Sequence, residues 1–204
     1  MTVRLVLATR NAHKLTELAE ILSAAGLDVT LEALPGSAPD VVEDGLTFAQ
    51  NAVKKARSAA EATGLPAVAD DSGLCVDALN EMPGVLSARW AGSATDDAAN
   101  LALVLDQVRD VPDSHLGAHF ACAAALALPG GEDRVVEGRV DGVLVREPRG
   151  SGGFGYDPIF LPEGSDRTTA EMSSAEKHAI SHRGRAFRAL VPVIHDLVVA
   201  HPSP

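Results

Sequence analysis

The sequence predicts an α/β protein, and its first thirty residues carry that prediction. Residues 4–8 form a continuous apolar run that is typical of a buried strand. Leu15, Leu18 and Leu22 follow at helical spacing, and Gly26 marks the expected end of this helix. A strand that leads directly into a helix is a common opening of α/β folds.

Length and composition indicate one domain with its own core. The chain has 204 residues, of which 46% are hydrophobic, and a net charge of -11. This acidity argues against non-specific binding to nucleic acid or to an anionic membrane. Cys75 and Cys122 lie outside any CxxC spacing, as expected in a reducing compartment. With no signal peptide or membrane-spanning run visible, we expect a cytoplasmic protein.

A polar turn, residues 9–14, separates the first strand from the first helix. Its backbone amides, the helix N-terminus and the Lys14 ammonium can together hold a phosphate. The turn lacks the GxxxxGK pattern of a P-loop. A plain helix cap at Thr9 or Asn11, with Lys14 in solvent, therefore fits the residues as well.

The next segment combines a strand at residues 28–33 with a helix that is expected to reach Thr63. Thr47 and Gln50 have the spacing of a capping box at the start of this helix. Asn51 and Lys55 then lie one turn apart on the same face. Glu43 precedes the helix, so a carboxylate and a lysine are expected near each other.

Two adjacent acids, Asp70 and Asp71, follow an apolar run at residues 65–69. We interpret the run as a short buried strand and expect both acids at its exposed end. Adjacent carboxylates repel unless a cation or a proton separates them, which favours a metal and general-base site. A solvated turn of Asp, Ser and Gly is the alternative. Glu43 and Lys55 favour the metal site in combination.

The remainder of the chain continues the alternation of strands and helices. The predicted strands cover residues 74–79, 119–128, 134–140 and 142–146. Predicted helices begin after a cap at residues 95–97, after Ser173, and before Phe187. Pro192 lies inside the last helix and is expected to bend or divide it.

A glycine-rich segment, residues 148–158, contains Phe154, Tyr156 and Asp157. Glycine on both sides of Phe154 lets the backbone approach a ligand and leaves the ring uncovered, as nucleobase stacking requires. The alternative is a flexible loop whose rings pack into the core. A linker is expected to carry polar residues instead of aromatic ones, so we favour base binding.

Basic residues gather again between Lys177 and Arg183. His178 and His182 are four residues apart, which also suits a zinc pair, but no third ligand accompanies them. A cluster of donors that faces a base carbonyl or a phosphate explains these residues better.

Taken together, these motifs resemble the inosine/xanthosine triphosphate pyrophosphatases, which remove deaminated purine nucleoside triphosphates. The resemblance covers nearly the whole chain and depends on six markers in order. They are Thr9-x-Asn11-x-x-Lys14, Glu43 before Gly45-Leu46-Thr47-Phe48, Asn51 with Lys55, Ala69-Asp70-Asp71-Ser72-Gly73-Leu74, Gly152-Gly153-Phe154-Gly155-Tyr156-Asp157-Pro158 and Ser181-His182-Arg183-Gly184. It implies an elongated mixed β-sheet flanked by helices, two lobes around a central groove, a Mg²⁺ cofactor and a homodimer.

The resemblance also implies roles for many residues of these markers. Asp71 is the general base and a magnesium ligand, and Glu43 is the second ligand. The residues expected to bind the substrate near its phosphates are Thr9, Arg10, Asn11, Ala12, His13, Lys14, Lys55 and Ser72. Those expected near its base are Phe154, Gly155, Tyr156, Asp157, Lys177, His182 and Arg183. Arg10 departs from the family pattern, which has glycine there, so less backbone freedom or an extra charge is expected.

The implied reaction is hydrolysis of ITP, dITP or XTP to the monophosphate and pyrophosphate. Donors that face a 6-oxo group reject adenine, because its amino group leaves them unpaired. Two alternatives stay open at this point. One is a non-catalytic nucleotide sensor that uses the same groove, and the other is a pyrophosphatase for pyrimidine or modified nucleotides.

Overall fold

The computed structural model describes residues 3–92 and 96–200, which form a mixed β-sheet flanked by helices. The strands are β1 (Val3–Leu7), β2 (Val29–Ala33), β3 (Ala67–Val76), β4 (Met82–Pro83), β5 (Gly117–Ala127), β6 (Asp133–Leu144) and β7 (Phe160–Pro162). The helices are α1 (Ala12–Ala24), α2 (Phe48–Thr63), α3 (Asp97–Gln107), α4 (Ser174–Ile180) and α5 (His182–Ala200).

The strand order is β2-β1-β3-β5-β6-β7, and β4 pairs with β3 outside this path. Strand β1 lies parallel to both β2 and β3, whereas the pairs β3–β4 and β6–β7 are antiparallel. The predicted α/β class with a mixed sheet is confirmed.

Backbone contacts divide the chain into two compact units. The first consists of Met1–Asp71, Cys122–Gly138 and Arg183–Pro204, within the described ranges. The second consists of Ser72–Ala121 and Arg139–His182. Strands β3, β5 and β6 each contribute residues to both units.

The core of the first unit covers both faces of its strands. Leu5 and Leu7 of β1 pack in one cluster with Leu18 of α1 and Phe187 of α5. Val6, which points to the opposite face, packs with the alanines of α2. Because both faces of these strands are buried against apolar residues, their sequences are continuous hydrophobic runs.

The second unit has a separate core around α3 and the later strands. Val104 and Val108 of α3 are buried against Leu144 and Phe160. Helix α3 therefore contributes to the core of the second unit. Trp90 packs against the same cluster and donates from Nε1 to Gln107 Oε1 at 2.8 Å.

Most helix ends follow the predicted caps. Thr47 Oγ1 accepts a hydrogen bond from the Gln50 amide at 3.1 Å, as predicted. The Gln50 side chain accepts from the Leu46 amide, whereas a complete capping box would have it accept from the Thr47 amide. Ser173 and Glu176 form a complete capping box. Pro192 was expected to bend or divide the last helix, and α5 continues through it, so this residue does not divide the helix. Leu190 and Ile194, on either side of Pro192, are buried in the core of the first unit.

The strand boundaries around the two aspartates were predicted wrongly. β3 does not end before Asp70 but runs on through Gly73 to Val76, and residues 77–79 form a short 3-10 turn. The strand that pairs back on β3 is β4, not residues 74–79. Gly73 is not a turn glycine, because a side chain there would collide with Ser87 Oγ, which accepts the Leu74 amide at 2.9 Å.

A second boundary error concerns β6. Residues 142–144 belong to this strand, so the separate strand predicted at 142–146 does not exist. Within the described ranges, no helix has the length and apolar character needed to cross a membrane.

Candidate active site

A cleft of about 430 Å³ lies in the first unit next to the end of β1. Its walls come from three stretches that are distant in the sequence, residues 8–14, 38–43 and 55–59, together with Leu34 and Asp70. Arg10, Lys14 and Lys55 bring positive charge into this cleft. The volume lies within the range of about 300–1,000 Å³ that is usual for small-ligand sites.

Asp70 is buried among cations at the wall of the cleft. Lys14 Nζ donates to both of its carboxylate oxygens, at 2.9 and 2.8 Å, and Arg183 Nε donates to Oδ2 at 3.0 Å. Burial by itself raises the pKa of Asp70, but Lys14 and Arg183 more than offset it and hold the pKa well below its usual range. Asp70 therefore stays ionised and is poorly suited to accept a proton.

Asp71, the next residue, has the opposite electrostatic character. Asn51 Nδ2 donates to its Oδ2 at 3.0 Å, and Lys55 Nζ donates to its Oδ1 at 3.1 Å. Burial raises the pKa of Asp71 above its usual range, and Lys55 and Asn51 offset this only in part. A carboxylate with a raised pKa is the better proton acceptor of the two.

The Lys55 ammonium joins two carboxylates that are far apart in the sequence. Its Nζ lies 2.9 Å from Glu43 Oε1 and 3.1 Å from Asp71 Oδ1. Burial lowers the pKa of Lys55, but Asp71 and Glu43 outweigh this effect and raise it. Two carboxylates that converge on one cation provide the hard oxygen donors that Mg²⁺ prefers.

The loop after β1 is held by its own side chains. Thr9 Oγ1 accepts the Asn11 amide at 3.1 Å, and Arg10 Nη1 pairs with Asp40 Oδ1 at 2.8 Å. Arg10 is not among the described residues with a positive φ, so its backbone conformation does not require the glycine of the family pattern. The side chains of Ala12 and His13 fall outside the described part of the chain.

The second unit carries the predicted aromatic site. Phe154 is 64% exposed, and Lys177 Nζ lies 4.8 Å above its ring centroid. Asp157 is buried beneath them: it accepts the Phe154 amide and the Thr169 hydroxyl, each at 2.8 Å, and pairs with Lys177. The carboxylate of Asp157 therefore anchors the loop and orients Lys177.

The two aromatic rings of this loop have different surroundings. Tyr156 is buried and donates its hydroxyl to the Ser87 carbonyl at 2.8 Å, so only Phe154 presents an exposed ring. The Gly155 amide donates to Asp97 Oδ2 at 2.9 Å. His182 stacks on Phe120, with 4.9 Å between ring centroids and 12° between their planes.

Comparison with known proteins shows the family to which this chain belongs. The model of the Ham1 family matches residues 5–193 of the chain. The chain belongs to the Ham1 family.

Relatives of this Ham1-family chain match over almost their full length. A dITP/XTP pyrophosphatase from Streptomyces coelicolor is 64% identical over 96% of this chain and 98% of that protein. The structure of a HAM1 protein from Coxiella burnetii has a TM-score of 0.89 and 44% identity, over 95% of this chain and 99% of that one. A nucleoside-triphosphatase / dITP/XTP pyrophosphatase from Mycobacterium abscessus has a TM-score of 0.80 and 52% identity, over 94% and 100% of the chains.

The Ham1-family structure groups the predicted residues into three clusters. Lys14 and Arg183 meet at Asp70, Glu43 and Asp71 meet at Lys55, and Phe154 meets Lys177 above Asp157. Arg183, which was predicted near the base, belongs to the first unit with Asp70. Ser72 is half-buried in β3 as the first residue of the second unit.

Three partners of these groups received no role from sequence reasoning. Asn51 was placed on the face of Lys55, and that spacing was a sufficient signal for a shared target. Thr169 and Asp97, which hold Asp157 and the Gly155 amide, had no such signal. Their partners lie 12 and 58 residues away in the sequence.

Two glycines of the aromatic loop allow a matched stability test. Gly153 and Gly155 both have left-handed backbones, with φ of 72° and 59°. A Cβ at Gly153 would collide with Asp157 Oδ2, whereas one at Gly155 has nothing within 4 Å.

We expect Gly155→Ala to lower the free energy of unfolding by about 1–2 kcal/mol, the cost of a left-handed conformation at a residue with a side chain. Gly153→Ala should lower the free energy of unfolding clearly more, because the Asp157 carboxylate must also move. Urea unfolding of both variants measures the difference. Equal losses would show that the contact with Asp157 does not restrict position 153.

Proposed function

We propose that this protein hydrolyses the non-standard purine nucleoside triphosphates dITP, ITP and XTP to the monophosphate and pyrophosphate. The observation that carries the proposal is the convergence of Glu43 and Asp71 on Lys55, beside a cleft lined with Lys14 and Arg10. The names of the relatives, dITP/XTP pyrophosphatase, support the same reaction. Triphosphate chemistry needs this combination of cations and a nearby base.

Binding of the phosphates is assigned to the cations of the cleft. Lys14, Lys55 and Arg10 neutralise the triphosphate, and the amides of the loop after β1 add donors near Thr9 and Asn11. Ser72, Ala12 and His13 complete the proposed set on this side. The ion pairs that these cations make with Asp70, Glu43 and Asp40 keep the side chains in place before substrate arrives.

Asp71 is proposed as the general base. Its raised pKa and its fixed carboxylate suit it to take a proton from the water that attacks the α-phosphorus. One bond forms between that water oxygen and phosphorus, and the bond to the bridging oxygen breaks, so that pyrophosphate leaves with its electron pair. Asp70, which is held ionised by two cations, supports the strand and positions Lys14.

The donor set fits a magnesium ion, as the family resemblance implies. Glu43 and Asp71 would hold it, because their oxygens already share one cation in Lys55. When bound, Mg²⁺ supplies further neutralisation of the triphosphate charge.

Recognition of the base is assigned to the residues that the family resemblance implies for it. Phe154 offers its exposed ring for stacking, with Gly155, Tyr156 and Asp157 supporting the loop. Lys177, His182 and Arg183 are the proposed donors to the 6-oxo group of hypoxanthine or xanthine. Adenine is disfavoured because its 6-amino group leaves those donors unpaired.

A substrate panel tests the reaction and its specificity. The protein is incubated with Mg²⁺ and ITP, XTP, dITP, ATP, GTP or UTP, and pyrophosphate is measured. We expect release from the first three and little from ATP. Binding without release from any nucleotide would favour a sensor, and a preference for UTP would favour a pyrimidine substrate.

Phe154→Ala should weaken the binding of inosine and xanthosine nucleotides, because stacking on one aromatic ring contributes about 1–3 kcal/mol per base. Isothermal titration with a non-hydrolysable ITP analogue measures the change. Inorganic tripolyphosphate provides the control, since it has no base and its affinity should not change. Equal affinity of the variant and the native protein for the ITP analogue would contradict the stacking role.

We also propose three features of organisation that follow from the family resemblance. The chain acts as one pyrophosphatase domain with two lobes around a substrate groove, it forms a homodimer, and it works in the cytoplasm. The free, buried Cys75 and Cys122 are consistent with a reducing compartment. Sedimentation equilibrium tests the dimer, because a single species of monomer mass at micromolar concentration would exclude it.

A further inference from the structure

A second cluster of metal-binding side chains lies in the second unit, apart from the residues assigned above. It consists of Cys75 on β3, Glu81 just before β4 and His119 on β5. The sulfur, one carboxylate oxygen and one imidazole nitrogen all lie within 4.8 Å of one another. Cysteine sulfur, histidine nitrogen and glutamate oxygen are each ligands that proteins use to bind zinc.

The Nε2 atom of His119 lies between a hydrogen-bond donor and a hydrogen-bond acceptor. Its Nε2 lies 3.2 Å from Arg139 Nη1 and 3.3 Å from Glu81 Oε2. A guanidinium can only donate and an ionised carboxylate can only accept, so one neutral nitrogen cannot satisfy both. A cation at this point accepts an electron pair from Nε2 and from the carboxylate together.

The imidazole of His119 is shielded from bulk solvent. His119 is only 4% exposed. Its Nδ1 is buried and has no hydrogen-bond partner among the described residues. A buried polar atom without a partner is unfavourable, and a rearrangement on metal binding can supply a partner for it.

The surrounding charges favour a divalent cation. Three carboxylates interact electrostatically with His119, namely Glu81, Asp77 and Asp141, whereas one cation, Arg139, does so. Arg139 Nε also donates to Asp141 Oδ1 at 2.7 Å, so the guanidinium keeps a partner when it leaves His119. Glu81 is 60% exposed at its side chain and can turn to close the site without disturbing the core.

We propose that Cys75, Glu81 and His119 form a binding site for a thiophilic divalent cation of the zinc type. Sulfur, nitrogen and oxygen ligands select zinc over magnesium, which prefers oxygen alone. On binding, the Cys75 thiol releases its proton to solvent as the metal–sulfur bond forms. Three protein ligands leave the fourth tetrahedral position to water. The site is independent of the proposed pyrophosphatase activity.

Metal titration tests the site without an activity assay. The full-length chain without an affinity tag is stripped with a chelator and titrated with Zn²⁺ against a chromophoric competitor in excess Mg²⁺. We expect one zinc ion per chain and, with Co²⁺ as a probe, a thiolate-to-cobalt charge-transfer band. Because loss of a supporting group alone costs about 10–100-fold in metal affinity, Cys75→Ser and Glu81→Gln should each weaken zinc binding by at least about 10-fold.

A matched cysteine variant and an exposed ligand variant complete the test. Cys122→Ser changes the other buried cysteine, which lies in the first unit, and should leave both the zinc affinity and the cobalt band unchanged. Glu81→Gln alters a largely exposed side chain, so it tests the site even if Cys75→Ser does not fold. The proposal is overturned if zinc does not bind in excess Mg²⁺, or if Glu81→Gln retains the native affinity.

Discussion

Replacing Asp71 with asparagine should reduce the rate of pyrophosphate release by about 10²–10⁴-fold, the usual contribution of a positioned general base. Asparagine keeps the size of the side chain and its carbonyl can still accept from Asn51, but it cannot take up the proton of water. Nucleotide binding should change much less, because the cations of the cleft remain. Pyrophosphate release under saturating ITP, together with the dissociation constant, separates the two effects.

Asp44→Asn is the matched control for this variant. Asp44 precedes α2 and pairs with Lys54, much as Glu43 pairs with Lys55, but its pair is exposed and lies outside the proposed site. Its substitution should leave the rate unchanged. Native turnover in Asp71→Asn would mean that another group activates the water.

Asp70→Asn should destabilise the protein by about 3–5 kcal/mol, as expected when one partner of a buried ion cluster is removed. The side chains of Lys14 and Arg183 are only 21% and 12% exposed, so the variant leaves two cations close together and poorly hydrated. Urea unfolding at about pH 7 measures the loss. Asp106→Asn, which removes an exposed pair with Arg109, should change the stability little.

The pH dependence of this difference has a defined sign. The pKa of Asp70 is lower in the folded protein than its ordinary value of 3.8, so its stabilising contribution is fully present above that value. The contribution is lost as the pH falls below the unfolded value towards the folded one. The stability gap between the native protein and Asp70→Asn should therefore shrink at about pH 3. A gap that stays constant down to this pH would contradict the ion cluster.

Local sequence patterns were sufficient wherever neighbouring residues determine the structure. The helical spacing of Leu18 and Leu22 and the caps at Thr47 and Ser173 appear as expected. The pair Asn51 and Lys55 is the clearest functional case. One helical turn places both side chains on the same carboxylate, and that spacing is visible in the sequence.

The aspartate stretch shows where such patterns fail. Asp70, Asp71 and Gly73 have the composition of a turn, and a strand was expected to end there. The strand continues because Lys14 and Arg183, which are 56 and 113 residues away, neutralise Asp70 inside the core. Such distant ion pairs leave no periodicity in the sequence, so composition alone predicted exposure.

The sequence by itself therefore determined the α/β class, the starts of α2, α3 and α4, the family resemblance and the identity of the acidic and basic residues proposed for the site. Only the tertiary structure shows the physical reason why Asp70 and Asp71 differ. Both are buried aspartates in one strand, but Asp70 faces two cations and Asp71 faces one lysine that it shares with Glu43. The direction of a pKa shift depends on the balance of burial and nearby charge, and only the folded chain sets that balance.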